Sequence, residues 1–231
     1  SVIYIAPQEK KTLKIIKNIL NKNPSKKVYS SAWKIFKKQK RLFYKEKKIV
    51  IPIQSRFIHS KALISNLGLA IKVALDLGVK KTTIISTIPK INFEGRLQYL
   101  KRGKLINTLS KKEKILFDGC HSLASAKNLN NYLKTIKDPI YGIWGMQKNK
   151  MPEKFIKVFN GTFKKIITLT IPGEPNALNA DDLFKVGKKI KFSMNKAKNI
   201  NDAIKKITSE EEKTIVVFGS LYLVGYFLKN N

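Results

Sequence analysis

The stretch Ile115-Leu116-Phe117-Asp118-Gly119-Cys120-His121-Ser122-Leu123 reads as a strand, a tight turn and the start of a helix. Ile115 to Phe117 is a short apolar run, and Leu123, Ala126, Leu129 and Leu133 then recur on one helical face. Glycine at 119 permits an abrupt change of chain direction, and a helix N-terminus offers N–H groups to an anion. Asp118 and His121 project from that turn. The residues alone admit two readings: a nucleotide-binding turn, or a turn in which Asp118 caps the helix and His121 lies on the surface. Cys120 reads as packing, since nothing near it in sequence would favour a thiolate.

The same alternation continues to the end of the chain. Strands are expected over Ile140 to Met146, Ile166 to Ile171, Phe192 to Met194 and Thr214 to Phe218. Helices are expected over Met151 to Phe159, Asn179 to Ile190, Ile200 to Ile207 and Leu221 to Leu228. Pro152 falls in a first turn, where its missing N–H costs nothing, and Asn179 stands three residues before Asp182 as in a capping box. Nearly continuous apolar strands separated by amphipathic helices predict an α/β fold, a mainly parallel sheet with helices on both faces. Ligands of such sheets bind at the carboxyl ends of the strands. Gly219-Ser220 follows the strand ending at Phe218, so it either receives a carboxylate or caps the last helix.

The first part of the chain is less regular. Val2 to Ala6 reads as a strand, and Leu13, Ile16, Ile19 and Leu20 have helical spacing. The basic stretch Lys26 to Lys48 carries Trp33, Phe36, Phe43 and Tyr44 without a decisive period. These aromatics are read as half-buried sheet residues in preference to a base-stacking platform. Ser60 to Gly78 is strongly helical, with Leu63, Leu67, Ala70, Ile71, Ala74 and Leu75 on one face and Gly78 as the stop. A short segment, Lys80 to Ile88, leads to Pro89. A domain boundary is expected at residues 89–93, giving domains 1–90 and 91–231. Phe93-Glu94-Gly95-Arg96-Leu97-Gln98 opens the second. Arg96 suggests a planar fork matched to phosphate oxygens, against the alternative of a surface ion pair with Glu94.

Composition bounds the rest. The chain has 231 residues, 43% of them apolar, enough for a proper core. Its net charge of +32 points at first sight to polyanions. Yet only Arg41, Arg56, Arg96 and Arg102 are arginines, so 43 of 47 basic residues are lysine, spread over nearly every segment. Abundant Lys, Ile and Asn are what AT-rich codons encode, and the charge is read as a solvated surface that attracts small anions. A single cysteine excludes an internal disulfide and a Cys-rich zinc site. Thr214 to Leu228, the most apolar segment, is too short to span a bilayer. No signal-peptide pattern precedes the first strand, and a cytoplasmic protein is expected.

Three blocks in order resemble one family. Glu94-Gly95-Arg96-Leu97-Gln98, Asp118-Gly119-Cys120-His121 and Gly219-Ser220-Leu221-Tyr222-Leu223-Val224-Gly225 are similar to the Gly-Arg-Leu-Gln, Asp-Gly-Ala-His-Asn and Gly-Ser-Leu-Tyr-Leu blocks of the folylpolyglutamate synthase/dihydrofolate synthase family, part of the Mur ligase superfamily. Ile171-Pro172-Gly173-Glu174-Pro175-Asn176-Ala177-Leu178 also looks like a segment of bacterial members. The resemblance covers 91–231, a Rossmann-like Mur ligase C-terminal domain. It reaches faintly into 1–90, where Ile3 to Gln8 resembles a late strand of the family's α/β ATPase domain. It implies an ATP-dependent ligase that joins L-glutamate to a folate or dihydropteroate carboxylate through an acyl phosphate. By carry-over, Asn66, which opens a helix with an Asn-x-x-x-Ala pattern, contacts adenine, Arg96 the phosphates, and Asp118 the ribose or nearby nucleotide groups. His121 is the catalytic residue, beside both the phosphates and the incoming glutamate, and Ser220 lies near the glutamate. The implied partners are ATP, Mg2+, L-glutamate and folate or dihydropteroate, with no nucleic acid and no membrane, and the full-length protein is expected to be a monomer.

The departures are specific. Cys120 and Ser122 replace the usual alanine and asparagine, and Ala62 and Leu63 stand where a His-Gln pair is common. No Gly-x-x-x-x-Gly-Lys-Ser/Thr phosphate loop occurs, nor the family's upstream magnesium ligands and modified lysine. The chain therefore reads as the end of the ATPase domain plus the whole C-terminal domain, holding no metal ligands itself and inactive alone. The alternatives are another Mur-type amino-acid ligase, disfavoured by the Gly-Ser-Leu-Tyr-Leu block, and a basic nucleic-acid-binding protein.

Overall fold

The structure is a computed structural model describing residues 1–39, 41–55 and 61–231. It divides into two compact units, Ser1–Asn92 and Phe93–Asn231.

In the first unit, β1 (Val2–Ile5) pairs in parallel with β2 (Lys26–Tyr29), and α1 (Lys10–Leu20) makes the crossover between them. An antiparallel meander follows: β3 (Lys34–Lys38), β4 (Arg41–Glu46) and β5 (Ile49–Ile53). The stretch that sequence left undecided is thus mostly sheet. Phe36 and Phe43 face each other across the β3–β4 register and stack at 5.6 Å, half-buried. Trp33 and Tyr44 are more deeply buried than expected, packed with Ile51, Ile53, Leu67 and Ile71.

α2 (Lys61–Asp76) buries Leu67, Gly68, Ile71 and Lys72. Ala70, placed on the apolar face by its spacing, is exposed, and the expected start at Ser60 lies outside the described residues. The end of α2 is a Schellman motif. Gly78 takes φ +81°, its N–H donates to Leu75 at 3.0 Å, and that of Val79 donates to Ala74 at 2.9 Å. α3 (Lys81–Thr87) completes the unit. The buried Lys72 ammonium donates to Glu46 at 2.7 Å and Asp76 at 2.6 Å, and the hydroxyls of Tyr44 and Tyr4 donate to the same two carboxylates. Burying a lysine is tolerable only with such compensation.

The second unit is built on six strands in the order β10-β9-β8-β11-β7-β6. These are β6 (Gln98–Tyr99), β7 (Glu113–Asp118), β8 (Ile140–Trp144), β9 (Lys165–Leu169), β10 (Met194–Ala197) and β11 (Lys213–Phe218). Every pairing is parallel except that of the edge strand β6 with β7. Along β7 and β11, alternate residues enter opposite cores. Leu116, Val216 and Phe218 pack with α4 (Leu123–Leu133), α5 (Pro152–Lys157) and α6 (Ala180–Lys189) on one face. Ile115, Phe117, Ile215 and Val217 pack with α7 (Ile200–Lys205) and α8 (Leu221–Lys229) on the other. Hence the chain leaves β7 toward one face and β11 toward the opposite one. Neighbouring strands whose connections part in this way open a crevice at their carboxyl ends.

Two boundaries differ from expectation. Lys191 adopts φ +63° and the Phe192 N–H donates to Gly187 at 3.0 Å, so Phe192 closes the turn after α6 and β10 starts only at Met194. The β9 strand ends at Leu169 because the chain turns at Ile171, whose carbonyl accepts from Glu174 at 3.4 Å. Among the described residues no helix is long and apolar enough to cross a membrane.

Candidate functional site

Three loops meet at the carboxyl end of the parallel sheet, and Asp118 is the knot between two of them. Its Oδ2 accepts the Leu97 N–H at 3.0 Å and its Oδ1 the Cys120 N–H at 2.9 Å. The next N–H, of Gly119, donates to the Gly95 carbonyl at 2.8 Å. Arg96 is thereby clamped between two residues tied to the Asp-Gly-Cys turn. Asp118 is only 7% exposed. Burial pushes its carboxyl above the usual range, opposed by the two amides and by the positive charge of Arg96. Burial likewise pushes the Cys120 thiol well up, which fits a packing role and no nucleophile.

The helix cap is not Asp118. Ser122 takes the N-cap position of α4 and accepts from the Ser125 N–H at 3.2 Å, while Ser125 Oγ accepts from the Ser122 N–H at 3.0 Å. This is a capping box made with a second serine in place of glutamate. The capping alternative for Asp118 is therefore corrected: its carboxylate joins loops, and a serine three residues before Ser125 starts the helix.

His121 is half-buried, with Nδ1 at 2.9 Å from the Gly119 carbonyl. A carbonyl only accepts, so Nδ1 carries the proton and Nε2 of the neutral ring has a lone pair to offer. The Arg96 guanidinium is half-buried, and among the described residues it makes no ion pair with Glu94 or any other carboxylate within 4 Å. A held guanidinium without a counter-charge suits a multiply charged anion.

The third loop follows β11. Gly219 takes φ +105°, and a side chain there would collide with the Gly145 carbonyl and Trp144 at the end of β8. At Gly119 a side chain would collide with Leu221, so the turns after β7 and β11 lie in contact. Ser220 is buried, and its Oγ accepts the Tyr222 N–H at 3.1 Å as the N-cap of α8. Asn66 belongs to the first unit, exposed, in the sixth position of α2 and not at its start.

Sequence reasoning missed the loop after β8. Asn149, Lys150 and Met151 line a cavity of about 430 Å3 together with His121, Ser122, Leu123, Ala124 and Phe155. Its position was available in principle, since it follows a strand whose carboxyl end lies on the ligand side of the sheet. Among the described residues no group of three or more His, Cys, Asp or Glu side chains is arranged to hold a metal ion.

Residues 101–230 match the family described as dihydrofolate synthetase, C-terminal domain. No curated protein matches the chain. The fold is similar to that of Mycobacterium tuberculosis folylpolyglutamate synthase complexed with ADP and AMPPCP: TM-score 0.82, 18% identity, covering 99% of this chain and 54% of that one. E. coli FolC in complex with ADP gives TM-score 0.74 and 15% identity over 93% of this chain and 50% of that one. The bifunctional folylpolyglutamate synthase/dihydrofolate synthase from Yersinia pestis, complexed with AMPPNP and Mn ion, gives 0.76 and 15% over 99% and 52%. The chain therefore spans about half the length of the solved structures it resembles.

Proposed function

The chain belongs to the dihydrofolate synthetase family through its C-terminal domain, and on that premise we propose that it forms one wall of an ATP-dependent ligase joining L-glutamate to a folate or dihydropteroate carboxylate. The observation that carries this reading is the convergence of Arg96, the Asp118–His121 turn and the Gly219–Ser220 turn at the carboxyl end of one sheet. In the reaction, a carboxylate oxygen of the acid takes the γ-phosphoryl group of ATP and ADP departs. The amine lone pair of glutamate then attacks the acyl carbon, phosphate leaves with the C–O electron pair, and the nitrogen loses a proton.

The roles follow from the geometry. Arg96 holds phosphate oxygens, whose charge its fork matches in bidentate fashion. His121, kept in one tautomer by Gly119, presents Nε2 to receive the proton from the attacking nitrogen. Asp118 was expected at the ribose; buried and committed to two amides, it supports a positioning role that fixes Arg96. Ser220, buried and spent as a cap, supports the same kind of role for the start of α8. The assignment of Asn66 to adenine rests on resemblance alone. Magnesium, when bound, would neutralise phosphate charge, and its ligands are proposed to belong to the half of the ligase that this chain does not span. Without that half the chain is proposed to be inactive, and the complete enzyme to be a cytoplasmic monomer.

An isotope experiment tests the route. The chain is joined to the N-terminal half of a related ligase and given a substrate labelled with 18O in the reacting carboxylate. An acyl phosphate places one 18O atom in each phosphate released. Unlabelled phosphate, or no glutamate-dependent turnover, would overturn the proposal.

A further inference from the structure

We propose that Lys150 is the residue that selects an acidic amino acid, by pairing with the side-chain carboxylate of the amine substrate in the cavity it shares with His121. This rests on the ligase reading above and adds a residue to it. The loop that carries Lys150 is held on both sides. The Lys148 N–H donates to the Asn176 carbonyl at 2.7 Å, Leu178 donates to Met146 at 2.8 Å, and Gln147 and Ala177 form an isolated antiparallel bridge. Lys150 itself donates its N–H to the Gln147 carbonyl at 3.2 Å, and Phe155 ties α5 to Met151 at 2.9 Å.

The side chain of Lys150 is half-buried, yet among the described residues it makes no ion pair. A partly desolvated ammonium without a counter-ion is a cost unless a ligand supplies the charge. The cavity's other walls name the kind of ligand. Leu123, Ala124, Met151 and Phe155 are apolar, and Lys150 and His121 are its only basic side chains. A triphosphate would call for several cations, whereas a short aliphatic chain ending in one carboxylate suits an apolar floor with a single lysine. His121 at the same cavity places the reacting nitrogen and the recognised carboxylate within one small molecule.

The test uses the chain as it stands. It has two histidines, so a His59→Gln background leaves His121 as the sole imidazole signal in NMR. L-Glutamate and L-glutamine, which differ only in the charge of the side-chain terminus, are titrated separately. The expected result is that glutamate shifts the His121 ring signals, that Lys150→Met weakens glutamate binding by about tenfold or more with glutamine unchanged, and that Lys150→Arg restores most of the difference. Undiminished glutamate binding in Lys150→Met overturns the role of Lys150 and leaves the ligase reading standing. Equal losses for both amino acids overturn the selectivity. No glutamate effect on His121 in any variant removes the amino-acid seat and the proposal with it.

Discussion

Asp118 sets the geometry of the candidate site through two backbone amides that have no other acceptor in reach. Asp118→Ala strands both N–H groups in a buried place, at about 1–3 kcal/mol each. The sign of its pH dependence is fixed by its carboxyl, which burial raises above the ordinary value. A raised group contributes its full stability below the unfolded pKa and loses it as pH rises through the folded pKa. The penalty of Asp118→Ala should therefore be larger near the acid end of the folding range than at neutral pH. Urea unfolding followed by Trp144 fluorescence in a Trp33→Phe background measures it, and a penalty that grows with pH would contradict the assignment. At this scale the sequence identified His121, Arg96 and Asp118 as a group but not their division of labour. Which carboxylate oxygens are already taken depends on a loop more than twenty positions upstream, and no local pattern encodes that.

At the scale of elements, the strand and helix alternation of the second unit was readable because both faces of β7, β8, β9 and β11 are covered, which makes their sequences continuously apolar. β6 escaped because two residues carry no period, and β10 because its middle residues Asn195 and Lys196 are exposed at the sheet edge. At the amino end of the sheet, Lys213 and Glu113 face each other in register and approach within 3.8 Å, both buried. The carboxylate also accepts the N–H groups of Ser110 and Ser209 at 2.9 Å each, while the ammonium donates to the Ile207 carbonyl. Removing one charge leaves the other without compensation. Lys213→Met should cost about 3 kcal/mol, and the double variant Lys213→Met/Glu113→Gln less than the sum of the two single ones, a coupling that a denaturation cycle reads directly. Additive effects would show that the pair is incidental to the β7–β11 contact.

At the scale of the whole molecule, the chain matches solved folylpolyglutamate synthases over nearly its full length and about half of theirs. Its +32 charge is carried almost wholly by lysine, and the buried Trp33 and Tyr44 serve the core of the first unit and not a displayed stacking surface. The central claim is that the second unit brings Arg96 and His121 to the reacting groups of a glutamate ligase. The most direct measurement is glutamate-dependent ADP release by the chain joined to the half it does not span, comparing wild type with Arg96→Ala and His121→Ala. The account predicts a loss of about a hundredfold or more in kcat for each variant, with folding intact by Trp144 fluorescence. Rates within about twofold of wild type for both would contradict it.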